Sequence, residues 1–503
     1  LMATSLSPVM IPTAALTILE DWLHGSGKAA LGLVAKFAEI LKACFDMEAP
    51  INAGEVIYRE TELHRRVARE CLDPAMKEIL QRAHEDLNVR KQADSAARMG
   101  GFTPQLAQAS VHIALLGGSI QELCTPYYLR RTRKASQEAA TSKARGKPGN
   151  GIYPILSQLG LHYRVSPALG SEVTRLAAQG VQRDAIENLA GRGINLKLKV
   201  LQRITRDFAE RALHHRLVSG SSKVEGESLH GKRIVIEIDG GRIRLREDDL
   251  EEAILPSLRR KFKAEWREPK LFVVYELDAD GKREKKGLLR YDATLGNADE
   301  AMCLLEDLLN SIGAEDAEEL IFLSDGAAWI WSRFDDLAEV FSQRGAKVTH
   351  IVDFYHAAQH LQSVANAIRG WSTAERANWM KVNKGLLVAG KIELLLDNCK
   401  ALCRGRNAKK LRAMLGYFEN HAHRMRYGDC EQRKLPIGSG AVESGIRRVV
   451  NLRLKGNGIF WTRRVAEGIL HLRAQLLSGR WFDHVSGILT PYVRWNVHRS
   501  LAM

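Results

Sequence analysis

The sequence has few cysteines and no long uninterrupted apolar run. None of its apolar runs reaches the roughly 18 to 20 residues that a membrane-spanning helix needs. The seven cysteines include no C-x-x-C pair, and their odd number and scattered spacing argue against both a zinc ribbon and a disulfide framework. The first residues lack the basic region of a signal peptide. We therefore expect a cytoplasmic protein with reduced thiols and no membrane partner.

The length of the chain indicates how many domains it has, and its net charge indicates the kind of partner it binds. A chain of 503 residues exceeds one ordinary hydrophobic core, so we expect two to four domains. Lysine and arginine number 74 against 59 aspartates and glutamates, which gives a net charge of +15. Such an excess favours a polyanionic partner, although many basic proteins bind no nucleic acid.

The first third of the chain divides into two predicted regions. Residues 1–145 have the composition of a helical region of unknown role, and they end in a basic stretch that is either a solvated linker or a DNA contact. Residues 146–225 contain three helix-like segments separated by glycines. The third segment has basic residues among apolar ones at helical spacing, which fits either a helix-turn-helix DNA-binding domain or a plain three-helix packing element. Its candidate DNA-binding residues are Lys197, Lys199, Arg203 and Arg206.

Strand-like and helix-like segments alternate from residue 226 to residue 369. This alternation predicts an α/β domain, with Gly240 and Gly241 forming a tight turn between the first two strands. The predicted elements are strands at Lys232–Asp239, Arg242–Arg246, Leu271–Leu277, Lys286–Tyr291, Leu320–Ser324 and Lys347–Val352, and helices after an Asn297 cap and over Ile330–Gln343.

Three acidic residues stand in unusual positions. Asp239 and Asp325 each come at the end of a strand-like apolar run, and Glu443 opens a long basic helix. A carboxylate at the end of a buried strand is costly unless a cation or hydrogen bonds compensate it. Hard oxygen ligands of this kind suit Mg²⁺. In a basic chain, they predict a metal site that acts on the phosphodiester backbone of DNA.

Four segments carry a family resemblance. They are residues 238–244 (IDGGRIR), 323–330 (LSDGAAWI), 353–361 (DFYHAAQHL) and 438–461, which ends in RLKGNGIFW. In this order they resemble the DDE transposases of bacterial insertion sequences, most closely the ISKra-type group. The resemblance covers residues 230–480.

The resemblance implies a fold and a metal triad. It implies a multidomain α/β protein with an RNase H-like mixed sheet flanked by helices, interrupted at residues 370–432 by an all-helical insertion and completed by residues 433–503. Asp239, Asp325 and Glu443 would hold two Mg²⁺ ions, for which Mn²⁺ would substitute. Such paired ions activate the attacking oxygen and neutralise the leaving oxygen of an in-line displacement. Asp353 and His356 match a D-x-x-H motif in which His356 would contact the scissile phosphate or orient the attacking water.

Other residues are open to two interpretations. Arg447, Arg448, Arg453, Lys455 and Trp461 are predicted to bind DNA beside the metals, or the cations form a solvated face. The tryptophans of the insertion either stack on an extruded base or pack in a helical core. His356 and His360 have zinc-ligand spacing, but no third ligand lies near them in the sequence, so helix packing is the default for His360.

The resulting expectation is a transposase that cleaves DNA strands at the terminal inverted repeats of its element and joins them to target DNA. It would act on double-stranded DNA in the bacterial nucleoid, as a homodimer or larger synaptic complex, because two ends must be handled together. The alternatives are an RNase H-like nuclease or resolvase without strand transfer, and a catalytically inactive DNA-binding relic.

Overall fold

The structure is a computed structural model that describes residues 31–130, 151–219, 228–248, 262–405 and 408–489. The chain forms two compact units. The first unit contains residues 1–177, 181–208 and 489–503, and the second contains 178–180 and 209–488. Most of the basic stretch near residue 145 lies outside the described residues.

The first unit combines helices with an antiparallel sheet. Residues 31–45 are helical. The elements that follow are the helices α1 (Ala53–Val67), α2 (Asp73–Glu85), α3 (Leu87–Met99) and α4 (Pro154–Gln158), and the strands β1 (Phe102–Ala114), β2 (Ile120–Arg130) and β3 (Gly151–Ile152). The strands pair in the order β1-β2-β3. The helical region predicted for residues 1–145 therefore also contains two strands, β1 and β2, that were not predicted.

Burial along β1 explains why this segment is a strand. Val111, Ile113 and Leu115 are buried at every second position, the period of a sheet with one covered face. They pack with Leu80 and Leu123 in one hydrophobic cluster. This two-residue alternation was present in the sequence and was missed because the neighbouring segments are helical.

Three helices follow in the order predicted for residues 146–225. They are α5 (Pro167–Gln179), α6 (Gln182–Gly191) and α7 (Leu198–Ser219). Leu201, Ile204 and Phe208 of α7 are buried. The four candidate DNA-binding residues of this region are all exposed: Lys197, Lys199, Arg203 and Arg206. Their exposure fits both interpretations of the region, and DNA binding here remains a prediction.

A five-stranded mixed sheet organises the second unit. Its strands are β4 (Arg233–Gly240), β7 (Lys270–Glu276), β8 (Leu289–Thr294), β9 (Glu319–Ser324) and β10 (Lys347–Val352), and a separate hairpin consists of β5 (Ile243–Asp248) and β6 (Phe262–Arg267). The order in the sheet is β10-β9-β4-β7-β8. Strands β10, β9 and β4 run parallel, whereas β7 is antiparallel to both β4 and β8.

Helices connect and follow these strands. They are α8 (Ala298–Ser311), α9 (Ala328–Gln343), α10 (Phe354–Ala367), α11 (Thr373–Val388), α12 (Ile392–Ala401), α13 (Ala408–His421), α14 (Tyr427–Gln432), α15 (Gly440–Gly445), α16 (Arg463–Leu477) and α17 (Trp481–Leu489). Helix α15 continues through a π-helical stretch, Ile446–Asn451, to Leu454. None of the described helices combines the length and apolar character needed to cross a lipid bilayer.

One predicted pairing is wrong. The segment Arg242–Arg246 was expected to fold back on the strand that ends at Asp239, but β5 pairs with β6 instead. The partner of β4 on this side is β7, with Asp239 opposite Leu271. The tight turn at Gly240 and Gly241 therefore directs the chain out of the sheet into a separate hairpin.

A buried ionic network fastens α16 to the sheet. Asp292 of β8 lies 2.9 Å from Nδ1 of His471 and 3.4 Å from Arg216, which also contacts Glu467 at 2.8 Å. Burial by itself raises the pKa of Asp292, but His471 and Arg216 outweigh it and hold the pKa at about 2. This carboxylate therefore contributes stability above the ordinary pKa of aspartate, and the contribution is lost as the pH falls through about 2.

Replacing Asp292 by asparagine is expected to lower the free energy of unfolding at pH 7 by about 2 kcal/mol, the value that corresponds to its pKa shift. The variant should also lose less stability than the wild type between pH 4 and pH 2. Chemical denaturation across this pH range measures both effects. Asp299→Asn, which breaks an exposed ion pair with Arg333, should cost less than about 1 kcal/mol. Equal losses in the two variants would contradict the role of the buried network.

Candidate active site

The ends of three parallel strands carry acidic residues to one edge of the sheet. Asp239 lies at the end of β4, Asp325 directly follows β9, and Asp353 directly follows β10. Because these strands run parallel and are neighbours, their carboxyl ends meet at the same edge. Two of these residues were predicted as metal ligands, and the third as the partner of His356.

Asp353 is buried and binds two separate segments. Its Oδ1 accepts a hydrogen bond from the backbone N–H of His356 at 2.8 Å, which caps α10. Its Oδ2 accepts from the backbone N–H and the hydroxyl of Ser439, at 2.5 and 2.6 Å. Burial alone raises the pKa of Asp353, but these bonds and the contact with the His356 side chain outweigh it and lower the pKa to about 2. Asp353 thus fastens the segment that precedes Glu443 to the edge of the sheet.

Glu443 lies on α15 beside this clamp. One ligand atom each from Glu443, Asp353 and His356 lie within 4.8 Å of one another, and among the described residues this is the group of three that has metal-ligand spacing. Nδ1 of His356 is 3.4 Å from Oδ1 of Asp353. This contact raises the pKa of His356 against the effect of burial, and the charges of Asp325 and Glu443 raise it further. These neighbours therefore favour the protonated form of the imidazole relative to a free histidine.

Asp239 is electrostatically coupled to the same cluster. Burial is the main cause that raises its pKa to about 6, and repulsion by Asp325 and Glu443 adds to the effect. A hydrogen bond from the backbone N–H of Gly240, at 2.6 Å, partly compensates the charge. Asp239 interacts electrostatically with Asp325 and with Glu443, but neither aspartate belongs to the group within 4.8 Å, which contains Asp353, His356 and Glu443.

The sequence analysis missed a fifth carboxyl group, that of Glu237. This residue is fully buried in β4, where it accepts hydrogen bonds from the Tyr275 hydroxyl at 2.8 Å and from the backbone N–H of Val442 at 2.7 Å. Burial raises its pKa to about 8, and the charges of Asp353 and Glu443 add to the shift. Glu237 therefore holds α15 one residue before Glu443. A signal was available, because residues two apart on a strand share a face and Glu237 stands two before Asp239.

The donor set fits a hard divalent cation. Asp239, Asp325 and Glu443 offer carboxylate oxygens, the ligands that Mg²⁺ prefers. Burial, with a smaller contribution from Asp325 and Glu443, raises the pKa of Asp239, and a bound cation would favour its charged form. His356 lies within 4.8 Å of Glu443 and Asp353, and its charge lowers the pKa of Asp239, against the effect of the carboxylates. The site therefore combines carboxylate oxygens suited to a divalent cation with an imidazole whose pKa is raised.

The predicted DNA contacts after Glu443 separate into two groups. Arg447 and Lys455 are exposed, and Arg448 is half-buried with Nη2 2.5 Å from the Tyr291 hydroxyl. Arg453 and Trp461 are 6% and 8% exposed, and the Arg453 guanidinium lies over the Trp461 ring at 4.7 Å.

The assignment of Arg453 and Trp461 as DNA contacts is therefore corrected. The indole N–H of Trp461 donates to the backbone carbonyl of Leu454 at 3.2 Å, so its polar group is satisfied inside the protein. Burial also lowers the pKa of Arg453 to about 10. The two side chains pack against each other where the segment that follows Glu443 meets β5.

The aromatic residues of the helical segment make contacts with one another. His360 stacks on Tyr417, with ring centroids 3.8 Å apart, and it is not part of the group with metal-ligand spacing. This position fits the packing interpretation of His360 and not the zinc interpretation. Trp371 and Trp379 have ring centroids 5.8 Å apart, and both are half-buried.

Comparison with known proteins found one similar solved structure and no similar sequence family. No family model matches the chain, and no curated protein matches it. Among solved structures, the chain is similar to the Drosophila P element transposase strand transfer complex, at 12% identity and a TM-score of 0.24, over 65% of this chain and 81% of that chain. A similarity at this level carries no argument, so function must be inferred from the site.

Proposed function

We propose that this protein is a metal-dependent DNA transposase that cleaves DNA strands at the ends of an insertion sequence and joins them to target DNA. The observation that supports the proposal is the position of Asp239 and Asp325 at the ends of neighbouring parallel strands, with Asp239 electrostatically coupled to Glu443, in a protein of net charge +15. Mere DNA binding would not require a cluster of mutually repelling carboxylates. The resemblance of the four sequence motifs to DDE transposases supports the same reaction.

The residues have separate roles in this proposal. Asp239, Asp325 and Glu443 would hold Mg²⁺ or Mn²⁺, which supplies activation of the attacking oxygen and stabilisation of the leaving oxygen. His356, with its raised pKa, would donate a hydrogen bond to an oxygen of the scissile phosphate. Asp353 orients His356 and holds Ser439 at the start of α15, and Glu237 holds Val442, the residue before Glu443.

The proposal also extends to the fold and the partners. Parallel strands β4, β9 and β10 with acidic ends support an RNase H-like catalytic sheet. The helices α11 to α14, which precede Glu443, support the all-helical insertion. Exposed Arg447 and Lys455, and the exposed basic residues of α7, would contact the phosphates of double-stranded DNA. We further propose a bacterial protein of the ISKra-type group that acts at the nucleoid as a dimer or larger complex.

Strand transfer is the experiment that tests this function. Purified protein should be incubated with Mg²⁺, a labelled duplex that carries one end of the DNA flanking the reading frame, and an unlabelled target plasmid. Labelled DNA joined to the plasmid is the expected product, with Mn²⁺ supporting the reaction and a chelator abolishing it.

The other outcomes identify the alternatives. Cleaved duplex without joined product would support a nuclease or resolvase, and binding without any cleavage under all metal conditions would support a DNA-binding relic. A flanking duplex of scrambled sequence serves as the substrate control, because a transposase should act on its own ends in preference.

A further inference from the structure

A tyrosine of the helical segment lies against the loop that carries Asp325. Tyr417 belongs to α13, and the loop consists of Asp325, Gly326 and Ala327, which connect β9 to α9. A Cβ atom placed on Gly326 would lie 2.0 Å from a carbon of the Tyr417 ring and 2.9 Å from its hydroxyl oxygen. Gly326 therefore leaves the space in which Tyr417 approaches the backbone next to Asp325.

The Tyr417 ring also contacts α10. His360 stacks on it, with ring centroids 3.8 Å apart and ring planes inclined by 14°. His360 lies one turn beyond His356 on the helix that Asp353 caps. Tyr417 therefore contacts two segments that follow acidic strand ends, the loop of Asp325 and the helix that begins after Asp353.

The backbone of the Asp325 loop is held by hydrogen bonds from α13 and α9. Nη1 of Arg424 lies 3.0 Å from Nδ1 of His421, at the end of α13. Because a guanidinium can only donate, Nδ1 is the acceptor, and Nε2 of His421 donates to the carbonyl of Gly326 at 3.2 Å. The indole N–H of Trp331 donates to the carbonyl of Asp325 at 2.5 Å. These bonds fix the place of Asp325 next to Tyr417.

The hydroxyl oxygen of Tyr417 is buried and has no hydrogen-bond partner among the residues that the structure describes. A buried polar atom in this condition is destabilising, and in native proteins a water molecule or an ion commonly accounts for it. Burial raises the pKa of Tyr417, and the charges of Asp325 and Asp353 raise it further. The hydroxyl therefore keeps its proton near neutral pH, lies within electrostatic reach of both carboxylates, and can donate and accept a hydrogen bond.

We propose that the Tyr417 hydroxyl hydrogen-bonds to the hydration shell of the divalent cation that Asp325 binds, so that Tyr417 is a positioning residue supplied by the helical segment. Mg²⁺ keeps several of its water molecules when proteins bind it. Groups that contact a metal ion through its ligands contribute about 10- to 100-fold to metal affinity. The inference rests on the proposed function, since that function places the cation at Asp325.

Calorimetric titration with Mn²⁺ in the absence of DNA tests this inference. Tyr417→Phe removes the hydroxyl and keeps the ring that stacks on His360, so the affinity for Mn²⁺ should fall roughly 10- to 100-fold. Without metal, the midpoint of thermal unfolding should stay the same or rise, because the variant loses a buried hydroxyl that had no partner. Asp325→Asn should weaken the same binding event at least as much, which identifies the site that the titration measures.

Tyr128→Phe is the matched control. The Tyr128 hydroxyl donates to Asp94 at 2.8 Å in the first unit, so its loss should lower the midpoint of thermal unfolding and leave the affinity for Mn²⁺ unchanged. The inference is overturned if Tyr417→Phe binds Mn²⁺ like the wild type, or if its unfolding midpoint without metal falls as that of Tyr128→Phe does.

The titration and the strand-transfer assay fail independently. Mn²⁺ binding that depends on Tyr417, in a protein that forms no strand-transfer product, would contradict the proposed function and leave the role of Tyr417 in place. Strand transfer by the wild type, together with unchanged Mn²⁺ affinity in Tyr417→Phe, would have the opposite meaning.

Discussion

Replacing Asp239 by asparagine is expected to lower the rate of DNA strand cleavage by more than about 100-fold. Loss of a residue that only supports a metal ligand costs up to about 100-fold, and loss of a ligand itself should cost more. Asparagine keeps the size of the side chain and removes the negative charge that a divalent cation requires. DNA binding should persist, because the change removes an anion that faces the phosphates. Single-turnover cleavage assays and binding titrations on the same duplex measure the two properties separately.

Asp325→Asn and Glu443→Gln should have similar effects, and the double variants should be little worse than the single ones, because residues that act as one unit are not additive. Asp336→Asn, a change at an exposed position of α9, is the matched control and should cleave like the wild type. If the Asp239→Asn variant cleaves DNA within a few-fold of the wild-type rate, Asp239 is not a metal ligand.

Replacing Asp353 by alanine is expected to reduce both stability and cleavage. The variant loses the cap of α10 and leaves the buried N–H of Ser439 without its acceptor. Together these changes should lower the free energy of unfolding by about 3 kcal/mol. Because Ser439 precedes the Glu443 helix, cleavage should fall roughly 10- to 100-fold, and the Mg²⁺ concentration for half-maximal activity should rise. Denaturation curves and a Mg²⁺ titration of cleavage give the two readouts.

Two other variants separate placement of Glu443 from general stability. Ser439→Ala removes the hydroxyl donor at 2.6 Å and keeps the backbone bond, so its effects should be smaller in the same direction. Ser372→Ala removes the cap of α11, and should cost about 1 kcal/mol without changing the Mg²⁺ requirement. If Asp353→Ala shifted stability alone, as Ser372→Ala does, Asp353 would have no role in placing Glu443.

Local patterns in the sequence predicted much of the second unit. The strand Lys347–Val352 has the predicted bounds, and Asn297 caps its helix in a capping box with Glu300. Asp239 and Asp325 were identified because a charge at the end of an apolar run stands out without knowledge of the fold. Signals of this kind depend on a few neighbouring residues, so they can be read directly from the chain.

The contacts around Glu443 could not be predicted in this way. Val442 receives its hydrogen-bond acceptor from Glu237, 205 positions away, and Ser439 receives its acceptor from Asp353, 86 positions away. Trp461 follows a basic segment and was therefore predicted to lie at the surface. It is buried because its segment forms a β-bridge with Leu245 of β5. The residues that neighbour each partner in the sequence do not indicate which distant residue it will contact.

The sequence by itself determined which residues carry charge at strand ends and where most strands and helices of the sheet domain begin and end, because period, caps and turns act over a few residues. Only the tertiary structure decided which carboxyl groups are buried and hydrogen-bonded to distant segments, and which basic residues are exposed. It also decided that β5, which follows the Gly240 turn, pairs with β6. These outcomes depend on contacts between distant segments, and burial together with those contacts then shifts the pKa of each group, upward for Glu237 and downward for Asp353.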